Sequence, residues 1–166
     1  MPLIDSLLPE FDREMGLTRK VLERVPEGQF DWKPHPTSRP LGNLAEHLTE
    51  MPMWATKTMS QSELEASTQR PPDYQPPSTR AAVLAQFDTS YRSARQGLVN
   101  KTDAEFAAPW TLKNSGKEVF TAPKAMVMRN FVLNHMIHHR AQLTVYFRML
   151  GVPVPSIYGP SGDEQM

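Results

Sequence analysis

The sequence predicts an all-α protein, a four-helix bundle with a small hairpin ahead of its last helix. Two observations carry this. Four segments of about twenty residues each show one apolar stripe at helical spacing, and the first and last are closed off by proline and glycine. At 166 residues the chain is the size of a single domain, 1–166, and can bury a real core without disulfides.

The first stripe is Ile4, Leu8, Phe11, Met15, Thr18, Leu22 and Val25, with spacings of four and three, stopped by Pro26 and Gly28. Pro9 lies within it, so the helix either starts there or bends there. Residues 27–40 form a connection, and Pro40 opens the second helix from its first turn. That helix shows Leu44, His47, Leu48, Met51, Trp54, Ala55 and Thr58 within about 120° of one another. Pro52 is assigned to its opposite side and introduces a kink. Residues 63–77, with Pro71, Pro72, Pro76 and Pro77, read as a loop. Ser78 then caps a third helix with the stripe Leu84, Phe87, Tyr91, Ala94 and Leu98. After a short helical piece at 103–107, residues 110–120 read as a hairpin turning at Asn114 to Gly116. The last helix runs from about Pro123 to Leu150 and stops at Gly151, leaving an irregular tail. The long links at 26–40 and 63–77 leave room for one of them to cross an end of the bundle.

Composition removes several function classes. The 18 basic and 18 acidic residues cancel, and apolar residues make up 39%. No basic patch points to nucleic acid or an anionic membrane as partner, and no apolar run reaches membrane-spanning length. The chain has no cysteine. Thiolate metal sites and thiol nucleophiles are therefore excluded, and a cytoplasmic setting is expected. The amino terminus does not read as a signal peptide.

The histidines carry the chemistry. His135 and His139 are four apart, so one helical face presents both rings, spaced for two bonds to a single divalent ion. With His135 at 0° on the helical wheel, His139 falls at about 40°, near the inward centre, and His138 at about −60°, on the flank. The remaining histidines are His35, between two prolines of a connection, and His47, in the middle of the second helix's stripe. Burying His47 without a polar partner is costly, and sharing a cation with His135 and His139 removes that cost. The competing arrangement is a polar core network through Gln142, Tyr91, Tyr146 and Thr18. Asn43 and Gln142 are candidates to orient the ligands, and Trp54 and Tyr146 to line a pocket. Glu46 is assigned outward or to a helix interface, and Glu50 to the edge of the site face. Neither acid is assigned a catalytic role, so the general acid or base is unassigned.

These residues resemble the DinB family. The likeness lies in Leu44-Ala-Glu-His47-Leu48 followed by Trp54, in His135-x-x-x-His139-Arg140-Ala141-Gln142, and in the tail Gly151-Val-Pro-Val-Pro-Ser-Ile-Tyr158-Gly159-Pro160-Ser161. It covers nearly the whole chain in order. Ala141 stands where the family commonly has glycine, a change that leaves the histidines intact. The resemblance implies a four-helix bundle with a crossed connection, often a homodimer. It also implies one metal ion, commonly nickel or zinc, on residues matching His47, His135 and His139. Characterised relatives include transferases and isomerases that use low-molecular-weight thiols.

Three neutral imidazoles leave an open position on a divalent ion, the layout of a catalytic site. In a chain without cysteine, any thiol has to arrive as a cosubstrate. The expected function is therefore a metal-dependent transferase using a small thiol. Metal-assisted hydrolysis, or a non-enzymatic metal-binding or stress-related module, is the alternative. A pocket opening onto the histidines favours the enzyme, whereas a site sealed by Trp54, Met51 and Phe131 favours the module. Leu133 and Ile137 fall on the outer side of the last helix and predict a homodimer seam there.

Overall fold

A computed structural model describes residues 1–68 and 73–165. The elements run in the order α1 (Leu3–Leu22), α2 (Leu41–Ser60), β1 (Glu63–Glu65), α3 (Arg80–Leu98), α4 (Asp103–Ala107), β2 (Pro109–Asn114), β3 (Lys117–Pro123), α5 (Lys124–Val127) and α6 (His135–Met149), with a π-helical stretch, Met128–Asn134, joining the last two. The molecule is mostly helical and carries a small three-stranded sheet.

The helices form where the stripes predict them, and the details at their ends differ. α1 starts at Leu3 and runs through Pro9. Pro40 sits just outside α2 rather than in its first turn. Thr79, not Ser78, caps α3, its side chain accepting from the Ala82 N–H at 3.2 Å. Gly151, at φ +70°, ends α6 as predicted, with the Val152 N–H returning to the Phe147 carbonyl at 2.9 Å.

One core lies between α1, α2, α3 and α6, built on Phe11, Leu44, Leu48, Met51, Phe87, Leu143 and Phe147. α2 packs most extensively along α3 and also meets α6. It is therefore buried on two flanks, which explains why Pro52, expected on an outer side, is buried. Glu46, expected outward or at a helix interface, is buried as well.

Part of the predicted 63–77 loop is ordered structure. β1 pairs in parallel with β2, Glu63 opposite Thr111, and β2 pairs antiparallel with β3. Three residues are too few for a period-two signal, which is why β1 escapes a reading of the sequence. Pro71 and Pro72 of that segment lie outside the described residues. The hairpin turns where predicted, with Ser115 at φ +51° and Gly116 at φ +74°, both in the left-handed region that a tight primed turn requires. The Glu65 carboxylate accepts from the Ser115 and Gly116 N–H groups, at 2.8 and 3.0 Å. These bonds and that from Ser67, the strongest, hold its carboxyl down to about 2. A second small core, with Leu64, Trp110, Leu112 and Val127, packs the sheet against the helices.

The last helical run departs from uniform α geometry. Val127 and Val132, and Met128 and Leu133, are all buried. Each pair is five residues apart, the repeat of a π turn rather than an α turn. Leu133 therefore faces this chain's own core, 0% exposed, and not an outer seam with a second copy. A wheel drawn at a constant 100° per residue cannot show this re-phasing.

Candidate metal centre

α2 and α6 cross so that His47 of one faces His135 and His139 of the other. The ring centroids of His47 lie 5.1 Å from His135 and 4.7 Å from His139. His47 Nε2 is 3.4 Å from His135 Nε2, which is 2.7 Å from His139 Nε2. One ligand atom from each of the three lies within 4.8 Å of the others. His139 is buried and the other two are half-buried. His138 is exposed, stacked edge-on against His139 at 4.9 Å and outside the cluster. His35 is exposed in its loop, bonded through Nδ1 to Thr37.

Two of the rings are held from behind. His47 Nδ1 donates to Glu50 Oε2 at 2.9 Å, and His139 Nδ1 to Gln142 Oε1 at 2.8 Å. Both partners accept, so each of these rings, when neutral, gives them its proton and turns its Nε2 lone pair inward. Ring nitrogens this close either share a proton or share a cation. Imidazole nitrogens bonded at about 2.0–2.1 Å to one tetrahedral ion stand about 3.4 Å apart. The His47–His135 separation has that value, and the His135–His139 pair sits tighter. The donor set fits a divalent ion.

Protonation does not compete strongly for the site. Burial is the chief cause that pushes His139 down to about 4, against the bond to Gln142, with the neighbouring histidines adding to the shift. Burial also lowers His135, helped by His47, His138 and Arg39. Both rings are thus neutral and ready to ligate at neutral pH.

A cavity of about 170 Å³ reaches the cluster at His139 and is otherwise lined by Ser38, Arg39, Leu44, Gln142 and Tyr146. Trp54 does not seal it; that ring packs half-buried between the two hydrophobic cores. The alternative polar network is dispersed. Tyr91 donates to Asp12, Tyr146 to the Arg39 carbonyl, and Thr18 accepts from Arg140. Gln142 serves His139 as expected, whereas Asn43 bonds Glu46 at 3.3 Å and not a histidine.

The sequence reading placed Glu50 only at the edge of the site, and the structure makes it the carboxylate behind His47. It missed two contributors. Arg39 lies in an irregular connection with no periodicity to mark it. Arg140, beside His139, reaches the other way into α1 and bonds the Glu14 carboxylate at 2.7 Å, the Glu14 carbonyl at 3.1 Å and Thr18 Oγ1 at 3.2 Å. Tyr158 of the tail closes this group by donating to Glu14 Oε2 at 2.6 Å. The signal was faint: Glu14 lies on the flank of the α1 stripe beside Met15, and a buried glutamate there needs a partner.

Among the described residues no helix is long and apolar enough to cross a membrane. The Bacillus subtilis (strain 168) protein YrdA, itself uncharacterised, is 26% identical over 164 residues, 97% of this chain and 91% of its own length. A solved DinB-like protein from Bacillus cereus ATCC 10987 superposes with a TM-score of 0.72 at 21% identity, covering 95% of this chain and 98% of that one. Another, YjoA from Bacillus subtilis, gives 0.68 at 17% identity over 92% and 97%. These two likenesses establish a shared fold. The sequence profile of the DinB family matches residues 2–165, and the chain belongs to that family.

Proposed function

We propose that this protein is a metal-dependent enzyme of thiol-transferase type. It holds one divalent ion, nickel or zinc, on His47, His135 and His139, and takes a low-molecular-weight thiol as cosubstrate for a reaction on a small molecule. The observation that carries the reading is a cluster of three convergent histidines with a cavity that borders one of them, His139. Such an ion supplies a Lewis acid that binds a thiol as thiolate at neutral pH. Glu50 and Gln142 fix the orientations of the His47 and His139 rings, and Leu44 and Tyr146 give the cavity its apolar wall. The proposed setting is the cytoplasm, where small thiols are kept reduced. A four-helix bundle with a crossed connection, assembled as a homodimer, is the architecture the family likeness favours.

The test is metal analysis of protein purified without a polyhistidine tag. About one equivalent per chain is expected. His47→Ala, His135→Ala and His139→Ala should each lose it, while His35→Ala and His138→Ala keep it. Full occupancy in His47→Ala rejects the three-histidine site. Turnover that survives chelation rejects metal catalysis. Turnover that needs the metal but no thiol points to water at the open position, and hence to a hydrolase.

A further inference from the structure

Arg39 is the one cation that lines the cavity, and among the described residues no carboxylate pairs with it. Its position is fixed through the backbone. The Tyr146 hydroxyl donates to the Arg39 carbonyl at 3.2 Å, and Trp32 stands edge-on to the Tyr146 ring at 5.6 Å. The same connection folds back on α2, with the Leu41 and Gly42 N–H groups bonded to the Trp32 and Phe30 carbonyls at 2.9 and 2.8 Å. Those bonds occupy the first donors of the helix, so the helix end is not the anion site; the guanidinium is. Ser38 contributes a hydroxyl to the same wall. Gln142 commits its carbonyl oxygen to His139, leaving its amide N–H groups as donors.

We propose that the cavity binds a small carboxylate, its two oxygens on Arg39, with the ligand's other end reaching the ion held by the histidines. The proposal rests on the metal-centre reading above. An unpaired arginine at the mouth of a pocket supplies one planar fork, which matches a carboxylate in a bidentate pair. The cavity volume corresponds to about six waters, the size of a short acid or of the acid end of a longer one. A phosphoryl group, with three oxygens to satisfy, would call for more donors than this wall carries.

The probes are 3-mercaptopropionate and its uncharged analogue 3-mercaptopropionamide. Each is titrated into cobalt-loaded protein and followed by the thiolate-to-cobalt absorption band, the thiol proton leaving to solvent. The acid should bind at least about tenfold more tightly than the amide, the effect of one charge-assisted bidentate pair. In Arg39→Gln the cobalt content should be unchanged, because Arg39 is not a ligand, and the preference should fall to within about twofold. Equal binding of the two probes by the wild type, or a preference that survives in Arg39→Gln, overturns the carboxylate assignment and leaves the metal centre standing. Failure of the wild type to bind cobalt overturns both.

Discussion

Replacing Arg140 with alanine should destabilise the protein by about 3–5 kcal/mol, the usual effect of removing one partner from a buried ion pair. The structure supports the upper half of that range. Arg140 and Glu14 are 2% and 5% exposed, and the arginine donates to the Glu14 carboxylate, the Glu14 carbonyl, Thr18 Oγ1 and the Tyr158 hydroxyl. Without it the Glu14 carboxylate stays buried between α1 and α6 with Tyr158 as its remaining partner in this group. In a chain of this length about 1 kcal/mol moves Tm by about 3 °C, so Arg140→Ala should melt about 9–15 °C lower. Calorimetry and urea titration with an unchanged slope are the assays. The double variant Glu14→Leu, Arg140→Met removes both charges and should recover most of the loss. A loss below about 1 kcal/mol in Arg140→Ala, or a double variant no better than the single one, refutes the reasoning.

Three further outcomes are expected. Glu50→Gln and Gln142→Ala should each weaken metal affinity by about 10- to 100-fold while leaving the three histidines in place, measured by competition with a chelator of known affinity. The metal-free protein should lose stability as pH falls. His139 has its pKa depressed to about 4, so the unfolded chain binds more protons below about pH 6.5. Its contribution is therefore full above that pH and lost on descent through about 4, at most about 3 kcal/mol; an identical acid profile in His139→Gln would assign the loss to other groups. Gly42→Ala should destabilise, because a Cβ there would stand 2.4 Å from the Phe30 ring, and a melting point equal to the wild type's would show that the 30–40 connection gives way freely.

The helices were legible because apolar periodicity survives in each, and the three histidines because each sits on an inward stripe. What escaped was set by contacts between distant segments. Glu50 takes its place because α2 turns it onto His47, and β1 exists only because β2 supplies its hydrogen bonds. Pro52 is buried because α2 has neighbours on two sides. Leu133 is the instructive error. Its outward placement followed from a constant helical repeat, and one π turn moves it into the core.

That turn also bears on the site. In an uninterrupted α-helix the Phe131 carbonyl would accept the His135 backbone N–H. Here that N–H is directed to the Val132 carbonyl. The re-phased turn thus sets the start of α6, from which His135 meets His47 and His139. Four residues on, α geometry is restored, and consecutive side chains diverge by about 100°. His139 faces the cavity, while Arg140 faces Glu14 and Thr18 on α1. One pair of neighbouring residues thus ties the candidate metal centre to α1. Single π turns inside α-helices are frequent at functional sites.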